Sequence, residues 1–150
     1  MEARIEKQIE IAAPVSRVWQ ALTDSSQFSQ WFTVTMEGPF LAGQPVTGKC
    51  TGRGYEHVRL QIVVQEIKPE TYFSYKWHPY ALDTTKDYSQ ETPTLVEFHL
   101  SEIPSGTLLA VTESGFDKLP QERYADALRM NTRGWEQQMN NINSYVSKTS

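Results

Sequence analysis

Residues 9–32 read "IEIAAPVSRVWQALTDSSQFSQWF", and this stretch decides the architecture. It begins inside an alternating run: Ile5, Lys7, Ile9 and Ile11 share one parity, opposite Glu6, Gln8 and Glu10. Such alternation marks a half-buried strand over about residues 3–12. Ala13 precedes a proline and is pushed towards extended backbone, while Pro14 suits the first position of a helix. Val15, Val18, Trp19 and Leu22 then fall at i, i+3, i+4 and i+7, one helical stripe. Asp24, Ser25 or Ser26 caps a second short helix that presents Phe28 and Trp31. Two short helices cannot bury Trp19, Phe28, Trp31 and Phe32 between themselves, so a large concave surface has to face them.

The rest of the chain supplies that surface. Gly38-Pro39, Gly43-Gln44-Pro45, Gly52-Arg53-Gly54, Lys68-Pro69-Glu70 and Pro104-Ser105-Gly106 are turn signals. They bound strands expected at 45–53, 57–67, 71–78, 94–103 and 106–114, and such short connections imply antiparallel pairing. Residues 79–93, "PYALDTTKDYSQETP", have no clear period and read as a long loop, a place where function often resides. After Pro120, the residues Tyr124, Leu128, Asn131, Trp135, Met139, Ile142 and Val146 share one face of a helix reaching about residue 146. That helix is about 40 Å long, enough to cross a whole sheet. The fold class is α+β, a single domain spanning residues 1–150. One antiparallel sheet is covered by the long helix, and two short helices follow the first strand. A curved sheet and a straight helix cannot meet along their full length, so a cavity is expected between them.

A chain of 150 residues can bury about 70% of its unfolded surface without metal or disulfide help. Its net charge of −4, with no Lys or Arg run, argues against nucleic acid and against a polybasic membrane patch. The single cysteine, Cys50, excludes an internal disulfide and a multi-cysteine zinc site. The N-terminal residues enter an alternating pattern directly, and the apolar runs are far short of a membrane span, so a cytoplasmic protein is expected.

Strand parity points one face inward: Phe73, Tyr75 and Trp77, then Val96, Phe98 and Leu100, then Thr107, Leu109, Val111 and Glu113. Each ring taken singly reads as core beneath the helix. The set, facing Trp135 and Met139, reads as the wall of a pocket. Glu113 is the polar residue in an apolar stripe. If buried, its pKa rises and it can donate a hydrogen bond; if the strand end is open to water, it is an ordinary carboxylate. His57, His78 and His99 fall in three separate strands, with His78 and His99 of outward parity, so no converging metal ligands are expected. "TGRGYE" at 51–56 precedes strand-like sequence rather than a helix, which speaks against a phosphate loop. Cys50 reads as a structural thiol.

Four segments in order resemble a known family: "IEIAAPVSRVWQALTD…W" at 9–31, "EIKPETYFSYKW" at 66–77, "TLVEFHLSEIPSGTLLAVTESGF" at 94–116 and "RGWEQQMNNINSYV" at 133–146. Together they are similar to the START-like, SRPBCC superfamily of helix-grip proteins, and within it to the branch related to the C-terminal domain of the heat-shock ATPase activator. The resemblance implies a curved antiparallel sheet wrapped around the C-terminal helix, with the aromatics of the short helices closing a cavity. It also implies functions as different as hydrophobic-ligand binding, cyclisation and co-chaperone or stress-response activity.

Three readings follow. The first is binding of a small hydrophobic or aromatic molecule, as a monomer or homodimer, with no cofactor, metal, nucleic acid or membrane partner. Its expected site comprises Phe28, Trp31, Phe32, His57, Phe73, Tyr75, Trp77, Phe98, Val111, Glu113, Asn131, Trp135 and Met139. The second is a chaperone-associated interaction module. The third is a cyclase- or hydrolase-type enzyme using Glu113 or His57, although no local nucleophile motif supports one.

Overall fold

The computed structural model describes residues 4–79, 85 and 87–149. Its elements are β1 (Arg4–Ile11), α1 (Val15–Thr23), α2 (Ser25–Trp31), β2 (Val34–Met36), β3 (Pro45–Cys50), β4 (Arg59–Lys68), β5 (Tyr72–Trp77), β6 (Thr94–Ile103), β7 (Gly106–Ser114) and α3 (Gln121–Thr149), with a single 3-10 turn at Phe116–Lys118. The strands form one antiparallel sheet in the order β1-β7-β6-β5-β4-β3-β2. The first strand is therefore carried across to the last, and the two short helices bridge from β1 at one edge to β2 at the other. This is the α+β helix-grip arrangement, with its sheet curved around α3.

The inward face predicted from parity is the inward face found. Phe73, Tyr75, Val96, Phe98, Thr107, Leu109, Val111 and Glu113 are all buried, as are Trp135, Met139, Ile142 and Val146 on the facing side of α3. Lys7 shares parity with Ile5 and Ile9, and its stem runs along the sheet to place Nζ 2.8 Å from Glu136 of α3. Asp24 caps α2 by accepting the Ser26 N–H at 2.9 Å.

The hairpin joining β6 to β7 shows why a glycine stands at its corner. Gly106 has φ +144°, and a Cβ built there would lie 2.2 Å from the Ile11 carbonyl oxygen and 2.8 Å from the Ala13 nitrogen. The end of β1 thus approaches where only a glycine leaves room.

Several boundaries differ from the sequence expectation. Pro14 is the N-cap rather than the first helical residue, with ψ 152°. β3 ends at Cys50 and β4 begins at Arg59, so His57 lies in the connecting loop and not in a strand. β5 ends at Trp77, leaving His78 outside the alternation that had assigned it an outward parity. β2, three residues long, was not expected as a strand; it is created by its pairing with β3. The expected loop at 79–93 lies partly outside the described residues.

Candidate functional site

Between the β3–β5 end of the sheet and the middle of α3 lies a cavity of about 760 Å³, open to solvent on one side. One wall is aromatic. Phe32, from the end of α2, Trp77, from the end of β5, and Trp135, from α3, form a triangle with ring centroids 5.8–5.9 Å apart. Phe28 stacks behind Phe32 at 4.4 Å, and Trp31 meets Phe28 edge-on at 5.0 Å. Aromatic pairs at such spacings and tilts are mutually attractive beyond the area they bury.

Behind this wall Glu113 is completely buried and accepts four hydrogen bonds. Trp77 Nε1–H donates to Oε2 at 2.7 Å and Thr94 Oγ1 to the same oxygen at 2.5 Å. Trp135 Nε1–H donates to Oε1 at 2.8 Å and Asn131 Nδ2 to the same oxygen at 3.0 Å. Of the two alternatives the sequence leaves for Glu113, burial is the one found. Desolvation raises its pKa, and the four donors, which favour the ionised form, offset part of that rise. The carboxylate is an acceptor here, and its role is to hold two indoles and an amide in place.

The rim is polar. Thr33 and Gln138 stand beside Phe32, and Asp87, Tyr88 and Ser89 come from the β5–β6 connection. Thr33 is a β-branched residue at φ 61°, a costly backbone conformation. It is held there by the Thr51 N–H on its carbonyl at 3.0 Å and by Gln138 Nε2, which donates to the Phe32 carbonyl at 2.9 Å. The β5–β6 connection is tied to α3 through Arg123, which is almost buried. Its guanidinium donates to Glu91 at 2.8–3.0 Å and to the Pro79 carbonyl at 2.8 Å, and it lies 4.7 Å from the Tyr88 ring centroid. Cys50 is half-buried on the lining, and burial raises its thiol pKa, which keeps it protonated and weakly nucleophilic.

Of the residues expected at the site, Phe32, His57, Trp77, Asn131 and Trp135 line the cavity. Phe28, Trp31, Phe73, Tyr75, Phe98, Val111, Glu113 and Met139 are buried in the core around it. His78, which the sequence placed on the outer face, lies on the lining, whereas His99 is exposed and packs on Tyr72. Sequence reasoning also missed Thr33, Gln138 and Arg123. A signal existed only for the last, whose spacing to Ala127 continues the buried side of α3 by one turn. Among the described residues no group of three or more His, Cys, Asp or Glu converges as metal ligands, and no helix is long and apolar enough to cross a membrane.

The same fold occurs in several solved structures. An Arthrobacter aurescens protein superposes with a TM-score of 0.79 at 17% identity, over 98% of this chain and 87% of its own. Protein MLL2253 from Mesorhizobium loti gives 0.77 at 20% identity over 98% of both chains. DynU16, from the dynemicin biosynthetic locus, gives 0.76 at 19% identity over 100% of this chain and 49% of its own, so this chain spans about half of that protein. At these identities the likeness establishes the fold alone. No curated protein matches the chain in sequence. The sequence profile of one family does, over residues 12–147, nearly the whole length, and the chain therefore belongs to the Activator of Hsp90 ATPase homolog 1-like protein family.

Proposed function

We propose that the protein binds a small hydrophobic or aromatic molecule in the cavity between the sheet and the C-terminal helix. The observation that carries this reading is the pairing of Trp77 and Trp135 on Glu113. Because both indole N–H groups are satisfied internally, the rings offer the cavity apolar walls, with Phe32 as the third. The volume lies within the range of about 300–1,000 Å³ typical of small-molecule sites, where mostly apolar walls surround a few polar groups. Glu113 is engaged by four donors and lies behind the lining, so it shapes the site rather than touching an occupant.

A thermal-shift screen with aromatic, polyketide-like and lipid compounds tests the proposal. A ligand that binds only the folded state adds about 2.7 kcal/mol at a hundredfold excess over its Kd, so hits are expected as clear rises in Tm. The hits weaken in Trp77→Ala and are unchanged in Leu41→Ala, an exposed position outside the lining. A screen without hits overturns the proposal. The second reading, which the family's name supports, is a chaperone-associated interaction module; it would then take precedence.

A further inference from the structure

Resting on that proposed function, the geometry points to the chemical class of the ligand: a flat aromatic that bears a hydrogen-bond donor, such as a phenolic hydroxyl, and no carboxylate. The inference starts from the four donors around Glu113. A carboxylate oxygen can only accept from an amide, so the contact at 3.0 Å assigns the Asn131 nitrogen to Glu113. The assignment is that of the ionised carboxylate, whose two oxygens accept all four hydrogen bonds.

With Nδ2 committed, Asn131 keeps Oδ1 as its remaining polar atom. Asn131 is half-buried and lines the cavity, and among the described residues no group donates to Oδ1. The neighbouring aromatic wall has no donor left, because Trp77 and Trp135 both use their N–H on Glu113. Beside these rings the cavity thus presents Asn131 Oδ1 as a fixed acceptor. An occupant that stacks there gains from presenting a donor to Asn131.

A carboxylate is selected against at the same place. It has nothing to donate to Oδ1, and it would lie one amide away from the Glu113 carboxylate. The arginine on the lining, Arg59, is already paired with Glu37, and the acidic residue of the rim, Asp87, repels an anion further.

Three matched probes test this at about pH 8, where a phenolic hydroxyl stays protonated: β-naphthol, its methyl ether and β-naphthoate, titrated against the protein by intrinsic fluorescence. β-Naphthol is expected to bind roughly five- to tenfold more tightly than the methyl ether, the effect of one neutral hydrogen bond, with β-naphthoate weakest. In Asn131→Leu, checked for native circular dichroism, the ratio of naphthol to ether affinity falls to about one. Equal affinities for all three in the wild-type protein, or tighter binding of the naphthoate, overturn the inference but leave the cavity as a binding site. An unchanged ratio in a folded Asn131→Leu also overturns it. Binding of none of the three, together with a barren thermal-shift screen, removes the proposed function and this inference with it. The wild-type comparison stands even if the variant fails to fold.

Discussion

Trp77 and Trp135, on a strand and a helix 58 positions apart in the sequence, are joined through one carboxylate: each indole N–H donates to a different oxygen of Glu113. Their rings lie 5.8 Å apart and form two sides of the cavity wall. The sheet, the helix and the cavity thereby share a single polar hub. Trp donates and never accepts, and a carboxylate, with two accepting oxygens, serves both rings at once.

Removing the hub should be severe. Glu113→Ala leaves the two indoles, Asn131 and Thr94 without their shared acceptor behind the cavity wall, and a loss of about 3–5 kcal/mol is expected in urea denaturation. A loss below about 1 kcal/mol would mean that the network contributes little.

The same group sets a pH dependence. Burial raises its folded pKa above the value of about 4.3 it has in an unfolded chain. A raised acid contributes stability that is fully present below the unfolded pKa and is lost as pH rises through the folded one. The stability of the wild-type protein minus that of Glu113→Gln should therefore fall with pH above about 4.3, levelling off once Glu113 is ionised. Urea titrations of both proteins at several pH values measure the difference, in which exposed carboxylates cancel. A difference that grows with pH would show that the four donors outweigh burial.

The inward stripe that carries Glu113 was legible in the sequence because the period of two persists through β6 and β7, ten and nine residues long. Over that length a polar residue of inward parity stands out, and Glu113 did. His78 misled because β5 ends one residue earlier, where parity no longer governs direction. β2 is three residues long and follows a positive-φ threonine, so it carries no periodic signal of its own. Arg123 would ordinarily be read as solvated. Its partners Glu91 and Pro79 are 32 and 44 residues away, and nothing local announces them.

Tyr75 offers a test of opposite sign. Its ring is completely buried, and its hydroxyl has no hydrogen-bond partner among the described residues. Burial and the nearby Glu113 charge raise its pKa well above the ordinary phenol value, so it stays neutral. Tyr75→Phe removes an unsatisfied buried group without changing the ring, and a gain of about 1 kcal/mol is expected in the same denaturation assay. A loss of similar size would mean that the hydroxyl has a partner in solution, such as a buried water.

The central claim is that an aromatic ligand sits against Trp77 and Trp135, and the four tryptophans of the chain provide an internal control. Trp31 donates its N–H to the Ala21 carbonyl at 2.8 Å, and neither it nor Trp19 lines the cavity. In a nitrogen-15 correlation spectrum one indole N–H signal is expected from each of the four tryptophans, assigned by substitution. Titration with β-naphthol should move the Trp77 and Trp135 signals progressively to saturation and leave those of Trp19 and Trp31 in place. Shifts confined to Trp19 or Trp31, or no shift at concentrations that saturate a fluorescence titration, would contradict binding in this cavity.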